Sequence, residues 1–357
     1  MNRERAAALG REPHGSSDDP DLLDFSANAN PEVPDGVERV YRAAFERART
    51  YPPEPPAAFR RAAADYVGCD PEDVVPTPGG LAAIRAAVAL AVDEGDTALL
   101  PAPSFGEYAR EVRLRGGEPS FVDADRVLDA DPSGHALAVV CTPNNPTGTG
   151  YDRDALLAFA ERCRAAGAVC LVDEAFLGFT ERASLAGTDG VVVARALTKL
   201  FGLPGIRAGF AVATGDLGAA LRGARRTWNL GAPALATGEY CLRQDEFVRE
   251  TRERVRRERD RLRAALGERY AVAPSEAPFL LLDVGDRDVD GVIERARDRG
   301  VAVRDARSFR GLDAHVRVAV RRPAENDRLL AALGVGDEAG DGGGSSGGGS
   351  RGEGADV

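Results

Sequence analysis

Lysine is almost absent from this chain of 357 residues. The sequence holds 46 lysine and arginine residues together, and Lys199 is the one lysine among them. Arginine stays charged, whereas a desolvated lysine amine can lose its proton and then act as a nucleophile or form a Schiff base. A task that arginine cannot perform would explain the exception, although a compositional bias that spared one surface lysine would leave the same pattern.

The chain also lacks an excess of positive charge and a long apolar run. Its formal net charge is −11, which argues against nucleic acid or an anionic membrane as a main partner. No segment approaches the length of a membrane span, and the first residues lack the apolar core of a signal peptide. We therefore expect a cytoplasmic protein with no nucleic-acid partner and no membrane partner.

Side chains that bind metals or form disulfides are scarce. The three histidines, at positions 14, 135 and 315, are too scattered to indicate a metal site. The five cysteines form an odd set without a CxxC pair, which favours reduced thiols over disulfides or zinc ligands. We expect no metal, and we expect most of the cysteines to be small core residues.

Apolar strand-like runs alternate with helical patterns in the first two thirds of the chain. This alternation predicts an α/β fold with a mostly parallel sheet that is covered on both faces and has its active loops at the strand ends. Helices are predicted at 57–68 and 79–96, and short strands at 97–105, 118–124, 135–143, 167–176, 190–197 and 206–213.

The last third of the chain has a different pattern. A long exposed helix with Glu/Arg pairs at helical spacing is predicted from about 236 to 266, followed by a strand, a helix and a strand typical of a small α+β lobe. The final segment cannot bury apolar surface, which predicts disorder. The predicted units are an N-terminal arm that joins the small lobe (1–40), a large domain (41–230), an interdomain helix with the small C-terminal domain (231–335) and a Gly/Ser-rich tail (336–357).

Polar residues follow the predicted strands. Asp173 comes directly after a buried strand, where an unpaired carboxylate is costly unless it meets a cation or a donor. Lys199 follows the next strand, and Arg207 lies beyond it in a glycine-punctuated loop. Gly79 and Gly80 open a helix, whose free amides suit an anion such as phosphate. These residues form a coherent set for chemistry at one edge of the sheet.

Seven short motifs, taken together, resemble a known family. They are YPPEP, TPGGLAAI, PAPSFGEY, CTPNNPTG, VDEAF, LTK and GIRAG, and their order and spacing are similar to those of the fold type I, class I/II aminotransferase superfamily, which depends on pyridoxal 5'-phosphate. The resemblance covers nearly the whole chain outside the tail. It implies a fold type I transferase that forms a homodimer and uses pyridoxal 5'-phosphate as its cofactor.

The resemblance also implies a role for each matching residue. Lys199 and Asp173 are the implied catalytic residues: Lys199 bonds covalently to the cofactor, and Asp173 pairs with its pyridinium nitrogen. Phe105 stacks on the cofactor ring, and Asn145 donates a hydrogen bond to the ring hydroxyl oxygen. The implied ligands of the cofactor phosphate are Thr198, Arg207, the backbone amides of Gly79, Gly80 and Leu81, and Tyr51 from the partner subunit.

The N-terminal motifs narrow the resemblance to enzymes that act on small phosphorylated amino acids. His14 and Gly15, followed by DFSANANP, resemble the threonine-phosphate decarboxylases of cobalamin biosynthesis, and histidinol-phosphate aminotransferases carry a related segment. The resemblance implies that Arg317 binds the substrate carboxylate, and Asn28 belongs to the same substrate-binding set. His14 and Arg321 are candidates for the substrate phosphate, the alternatives being a floppy terminal histidine and a solvated strand arginine.

Some positions depart from the family pattern. Two serines follow the His-Gly element where a second glycine is usual, and TPGGLAAI leaves mostly backbone amides in the phosphate loop. Phe176 stands where the aminotransferase relatives usually have a tyrosine hydroxyl, which weakens the transaminase interpretation slightly.

Three functions are therefore considered. The first is a lyase that decarboxylates L-threonine O-3-phosphate, and the second is a transaminase for histidinol phosphate or another amino acid. The third is a non-catalytic domain of the same fold that senses or binds a ligand. The joint presence of Lys199, Asp173, Asn145 and Arg207 argues against the third.

Overall fold

The structure is a computed structural model that describes residues 3–335. The tail for which the sequence predicts disorder, residues 336–357, lies outside the described residues. The helices are α1 (Arg3–Ala8), α2 (Val37–Arg47), α3 (Ala57–Val67), α4 (Gly80–Ala91), α5 (Glu107–Arg115), α6 (Arg153–Ala165), α7 (Leu197–Leu200), α8 (Gly215–Ala224), α9 (Ala232–Cys241), α10 (Asp245–Leu266), α11 (Val289–Asp298) and α12 (Pro323–Ala332). Across this described range, no helix combines the length and apolar character needed to cross a membrane.

The strands form one large sheet and two small ones. Their bounds are β1 (Leu23–Asp24), β2 (Val74–Thr77), β3 (Thr97–Ala102), β4 (Glu118–Asp123), β5 (Leu137–Cys141), β6 (Val169–Asp173), β7 (Val191–Ala196), β8 (Gly209–Val212), β9 (Ala271–Val272), β10 (Phe279–Asp283), β11 (Val301–Ala302), β12 (Arg304–Asp305) and β13 (His315–Ala319).

The seven-stranded sheet has the order β2-β8-β7-β6-β5-β3-β4. Strands β4, β3, β5, β6 and β7 pair in parallel, and β8 is antiparallel to both of its neighbours. The interior strand β5 is apolar and buried along its whole length, as expected when helices cover both faces of a sheet. The predicted α/β fold with a mostly parallel sheet is confirmed, and the six predicted strands all belong to this sheet.

The parallel strands end at one edge of the sheet, and this edge carries the polar residues. Asp173 is the last residue of β6, and β7 runs directly into the short helix α7 that contains Lys199. The loop after β5 contains Asn145. Ligand sites of open α/β sheets lie at the carboxyl ends of the strands, which is where these three side chains meet.

The small lobe is built on a four-stranded sheet in the order β12-β13-β10-β9. Its central pair is antiparallel, with Phe279 opposite Ala319 and Asp283 opposite His315. The N-terminal strand β1 pairs in parallel with β11, so the first residues of the chain lie against its C-terminal third. The arm therefore packs against the part of the chain that also contains Arg317 of β13.

The predicted long helix at 236–266 is wrong in one respect, because the structure contains two helices, α9 and α10. They are separated at Leu242–Gln244, where Arg243 and Gln244 donate their backbone N–H groups to Tyr240 and Cys241, three residues earlier. Such tight bonds end an α-helical ladder. Leu242 is buried at this point, and two acidic residues then open α10.

Candidate active site

Asp173 lies at the centre of the strand-end edge and is buried. Its Oδ2 accepts a hydrogen bond from the Tyr108 hydroxyl at 2.6 Å, and its Oδ1 accepts one from the Ala175 N–H at 2.9 Å. Burial raises the pKa of the Asp173 carboxyl, while both hydrogen bonds act in the opposite direction. The carboxylate therefore has two fixed donors and still faces the cavity described below.

Lys199 lies on the same edge, in helix α7. Burial, together with the positive charges of Arg317 and Arg207, lowers the pKa of its amine from 10.5 to about 8, and Asp173 opposes this effect. An amine with this pKa is partly unprotonated near neutral pH, which is the state that a nucleophile or a proton acceptor requires. The structure thus gives Lys199 an environment that an exposed lysine does not have.

The N-terminal arm fixes the turn that carries Lys199. The backbone N–H of Asn30 donates to the carbonyl of Lys199 at 2.9 Å. The Asn30 side chain donates to the carbonyl of Leu200 at 2.8 Å and to the hydroxyl of Thr251 at 3.3 Å. Asn30 is buried, so these hydrogen bonds connect the arm, α7 and α10 in the interior.

An anion site is formed where helix α4 begins. Gly79 precedes the helix with φ +86°, and a Cβ at this position would lie 2.5 Å from Nη2 of Arg207, so the guanidinium rests directly on this glycine. Arg207 donates to the carbonyl of Pro204, and in the described part of the chain it has no carboxylate partner. Thr198 lines the cavity nearby. Free helix amides and an unneutralised cation together favour a phosphate group.

Arg317 is a second cation that has no counter-ion in the part of the chain that the structure describes. Its side chain is 4% exposed and lies between the rings of Phe279 and Phe309, with its guanidinium carbon 5.2 and 5.5 Å from the two centroids. It donates to the side-chain oxygen of Asn145 and, at 3.0 Å, to the carbonyl of Ser26. Burial lowers its pKa to about 9, and no carboxylate among residues 3–335 neutralises it. A buried cation of this kind requires an anionic ligand.

Asn28 and Asn145 supply amide groups to the same space. The side-chain oxygen of Asn28 is buried and has no hydrogen-bond partner within the described chain. Because Arg317 donates to the side-chain oxygen of Asn145, the amide nitrogen of Asn145 points away from that bond and remains a donor. Buried polar groups are normally bonded, so the unpaired oxygen of Asn28 is a feature expected of a ligand site.

The N-terminal arm closes one side of the site. The carbonyls of Pro13 and His14 accept hydrogen bonds from Arg304 at 2.7 and 2.8 Å, and the His14 ring lies 3.3 Å from the buried carboxylate of Glu107. A Cβ on Gly15 would lie 2.2 Å from the carbonyl oxygen of Ser26. The glycine of the His-Gly element is therefore required by a close backbone approach.

These groups surround one cavity of about 370 Å³. It is lined by most of the residues that the sequence assigns to the cofactor or the substrate, namely His14, Asn28, Gly80, Leu81, Phe105, Asn145, Asp173, Thr198, Lys199, Arg207 and Arg317. Phe176 also lines it and packs edge-on against Phe279, with centroids 5.1 Å apart, so an apolar face stands where a hydroxyl is usual.

Three of the assigned residues lie outside the cavity wall, namely Gly79, Arg321 and Tyr51. Arg321 donates to the carbonyl of Asp24 at 3.0 Å and pairs with Glu325 at 3.1 Å, so internal groups already engage its guanidinium. Tyr51 is 76% exposed and stacks on Trp228 at a centroid distance of 4.2 Å. An exposed aromatic pair of this kind is a surface that a partner can cover.

Sequence reasoning missed three residues of the site. Arg304 lines the cavity, Tyr108 bonds to Asp173 and Glu107 bonds to His14. The one available signal was the motif PAPSFGEY, which contains Glu107 and Tyr108 immediately after Phe105. Arg304 has no comparable signal, because its neighbours in the site are close to it only in the folded chain.

Comparison with known proteins identifies relatives over most of the chain. The family described as Aminotransferase class I and II matches residues 20–333. Histidinol-phosphate aminotransferase 2 of Archaeoglobus fulgidus is 30% identical over 329 residues, which is 88% of this chain and 93% of that protein. Threonine-phosphate decarboxylase of Salmonella typhimurium is 31% identical over 360 residues, or 93% and 94% of the two chains.

The fold also matches solved structures. The histidinol-phosphate aminotransferase of Sinorhizobium meliloti, crystallised in complex with pyridoxal-5'-phosphate, superposes with a TM-score of 0.77 and 23% sequence identity. The match covers 86% of this chain and 88% of that one. At this level of identity the likeness shows the shared fold.

Proposed function

Because this chain belongs to the aminotransferase class I and II family, whose cofactor is pyridoxal 5'-phosphate, we propose that it decarboxylates L-threonine O-3-phosphate. The product would be (R)-1-aminopropan-2-yl phosphate, an intermediate of cobalamin biosynthesis. The observation that carries the proposal is the pair Arg304 and Arg317. Both guanidinium groups line the cavity, and neither has a carboxylate partner among the described residues, so the substrate should bring two anionic groups.

The residues of the cavity fit the cofactor. Arg207 with the amides of Gly79, Gly80 and Leu81, and with Thr198, would hold its phosphate, and Phe105 and Asn145 would contact the ring. Asp173 would face the ring nitrogen and Lys199 the aldehyde carbon. When bound, the cofactor supplies an electron sink for the bond that breaks at the substrate α-carbon.

In this proposal the protein contributes orientation and proton transfer. Arg317 binds the substrate carboxylate and Arg304 its phosphate, with His14 beside it, so the two ends of the molecule are fixed. Fixing both ends selects which bond at the α-carbon is aligned for cleavage, and the remote phosphate contributes binding energy to that alignment. The carboxylate leaves as CO2, and Lys199 in its protonated form, with its pKa lowered to about 8, can deliver one proton to the α-carbon and then regain a proton from water.

A second candidate is a histidinol-phosphate aminotransferase. It is supported by the relatives of that name at about the same identity, and by Asn28 and Asn145, which suit either reaction. Histidinol phosphate itself carries a phosphate and no carboxylate, so it would pair with only one of the two guanidinium groups that lack a carboxylate partner among the described residues, whereas the amino donor glutamate would pair with both. The apolar Phe176 also favours the lyase slightly, because the transaminase relatives usually have a hydroxyl at this position.

The decisive experiment incubates the cofactor-loaded enzyme with L-threonine O-3-phosphate in the absence of any oxo acid and follows CO2. We expect steady release over many turnovers. If no CO2 appears, but glutamate with imidazole acetol phosphate yields 2-oxoglutarate, the chain is the aminotransferase and the decarboxylase proposal is wrong. Absence of both reactions, with the cofactor bound, would favour a non-catalytic domain.

We also propose a homodimer in which Tyr51 of one subunit reaches the cofactor phosphate of the other. The support is the exposed stack of Tyr51 on Trp228, with Trp228 48% exposed. Sedimentation of wild type and Tyr51→Ala tests this proposal. The wild type should sediment as a dimer, and the variant should have a higher dimer dissociation constant and a lower affinity for the cofactor. A monomeric wild type would rule the proposal out.

A further inference from the structure

Tyr108 is a buried residue of helix α5 with no role in the proposed reaction so far. Its ring is completely buried among the apolar side chains of one core cluster, which includes Leu100 and Val112. Phe105 packs edge-on against it with centroids 5.6 Å apart. Its hydroxyl nevertheless reaches Asp173, which lines the cavity, and donates to Oδ2 of that residue at 2.6 Å.

The two donors to Asp173 share one property, which is that neither carries a charge. The Tyr108 hydroxyl bonds one carboxylate oxygen and the Ala175 N–H bonds the other. The nearby cation Arg195 is engaged elsewhere, because it pairs with Glu174 at 3.0 Å. A carboxylate has room for about four hydrogen bonds, so Asp173 keeps acceptor sites for a group in the cavity.

Neutral donors can keep the buried Asp173 carboxylate ionised without neutralising its negative charge. Burial favours the uncharged form of a carboxyl group, and a hydrogen bond donated to the carboxylate favours the charged form. A lysine or arginine would also favour the charged form, but it would cancel the negative charge. A tyrosine that stays protonated keeps the charge on Asp173 available, and burial beside this carboxylate does raise the pKa of Tyr108.

We propose that Tyr108 is a positioning residue that keeps the Asp173 carboxylate ionised and fixed for the ring nitrogen of the bound cofactor. The inference rests on the role proposed above for Asp173. Tyr108 itself touches neither cofactor nor substrate in this proposal, and it acts through the hydrogen bond to Asp173. Its effect should therefore appear in cofactor binding before any substrate is added.

The first test is Tyr108→Phe, which removes the hydroxyl and keeps the ring. Titration of the cofactor-free protein with pyridoxal 5'-phosphate should show an affinity lower by roughly tenfold to a hundredfold, the loss expected for a hydrogen bond to a charged group. The matched control is Tyr151→Phe, because the buried Tyr151 hydroxyl donates to the carbonyl of Ala124 at 2.8 Å. The control should bind the cofactor as the wild type does.

The second test separates an action through Asp173 from a general loss of structure. Asp173→Ala is compared with the double variant Asp173→Ala/Tyr108→Phe. If Tyr108 acts through the carboxylate, removal of its hydroxyl has no further effect on cofactor affinity once the carboxylate is gone. The proposal is overturned if Tyr108→Phe binds the cofactor normally, if Tyr151→Phe loses as much, or if the effect of Tyr108→Phe persists without Asp173.

These outcomes are distinct from those of the decarboxylation assay. Cofactor affinity is measured without substrate, so it reports on Tyr108 and Asp173 whichever reaction the enzyme catalyses. Wild-type protein that binds the cofactor tightly and releases no CO2 would refute the proposed function and leave the role of Tyr108 intact. A Tyr108→Phe variant with wild-type cofactor affinity, in an enzyme that releases CO2, would refute the role of Tyr108 and leave the proposed function intact.

Discussion

The backbone N–H of Asn30 lies 2.9 Å from the carbonyl oxygen of Lys199 and donates to it, so the N-terminal arm holds the turn of the one lysine in the chain. Asn30→Ala keeps that bond but leaves the buried carbonyl of Leu200 without its side-chain donor. We expect the free energy of unfolding to fall by about 1–3 kcal/mol. Denaturant unfolding measures the loss, and an unchanged midpoint would contradict this role of the side chain.

The lowered pKa of Lys199 predicts how its reactivity depends on pH. An amine reacts in its neutral form, so modification of Lys199 in the cofactor-free protein should reach half its maximal rate at about pH 8 rather than near 10.5. Reductive methylation followed by mass spectrometry isolates this site. Arg317→Gln should move the midpoint upward, because the Arg317 cation is one cause of the shift. A wild-type midpoint near 10.5 would show that the amine is solvated.

Arg317→Lys is expected to abolish most activity although it conserves the charge. The Arg317 guanidinium reaches Asn145 through Nη1 and Ser26 through Nη2 while its carbon stays near two aromatic rings, and a lysine ammonium lacks this planar fork. We expect kcat/KM to fall roughly 100- to 1,000-fold, as for the loss of a buried charged hydrogen-bonding partner. Steady-state kinetics measure this change, and near-wild-type activity in the lysine variant would show that charge alone suffices.

Gly15→Ala tests the closure of the site by the arm. The added Cβ would lie 2.2 Å from the carbonyl oxygen of Ser26, so the arm must move away from the cavity. We expect kcat/KM to fall on the order of 100-fold, as for a small misplacement of substrate-binding groups, with cofactor affinity retained. Gly10→Ala is the matched control, because a Cβ there meets nothing within 4 Å. Equal losses in both variants would argue against this mechanism.

Arg304 and Arg321 are two alternatives for the substrate phosphate, and kinetics can distinguish them. The sequence pattern favours Arg321, and its contact with the substrate phosphate stays a prediction. The structure instead places Arg304 in the cavity wall. We expect Arg304→Gln to lower kcat/KM for the phosphorylated substrate by at least about tenfold, and Arg321→Gln to act mainly on the unfolding free energy. If Arg321→Gln lowers kcat/KM and Arg304→Gln does not, Arg321 is the residue that binds the substrate phosphate.

Much of the site could be predicted because its residues follow buried strands directly. Asp173 and Lys199 each come after an apolar run, and a polar residue at that point is visible in the sequence alone. Arg304 could not be found in this way, because its hydrogen bond to the carbonyl of His14 joins residues 290 positions apart. Tyr108 was missed for another reason: it belongs to the motif PAPSFGEY, but its place in a helix with apolar spacing is also that of an ordinary core residue.

The fold was predictable to a similar extent. Alternating apolar runs and helices are typical of a parallel sheet covered on both faces, and the large sheet has this form. The break between α9 and α10 was not predictable, because the surrounding residues favour helix and the bonds of Arg243 and Gln244 to carbonyls three residues earlier have no signal in the sequence. Short-range preferences thus place most elements, whereas long-range contacts decide where a helix ends.

The pairing of β1 with β11 has a consequence for how the protein is made. Leu23 donates its backbone N–H to the carbonyl of Gly300 at 2.9 Å, so during synthesis this pairing cannot form until residue 300 has been added to the chain. Domains can fold as units during synthesis, which allows the large sheet to form before this pairing. A product of premature termination before residue 300 would therefore keep Lys199 but lack the docked arm. The candidate active site can therefore be closed by the arm only after residue 300 has been synthesised.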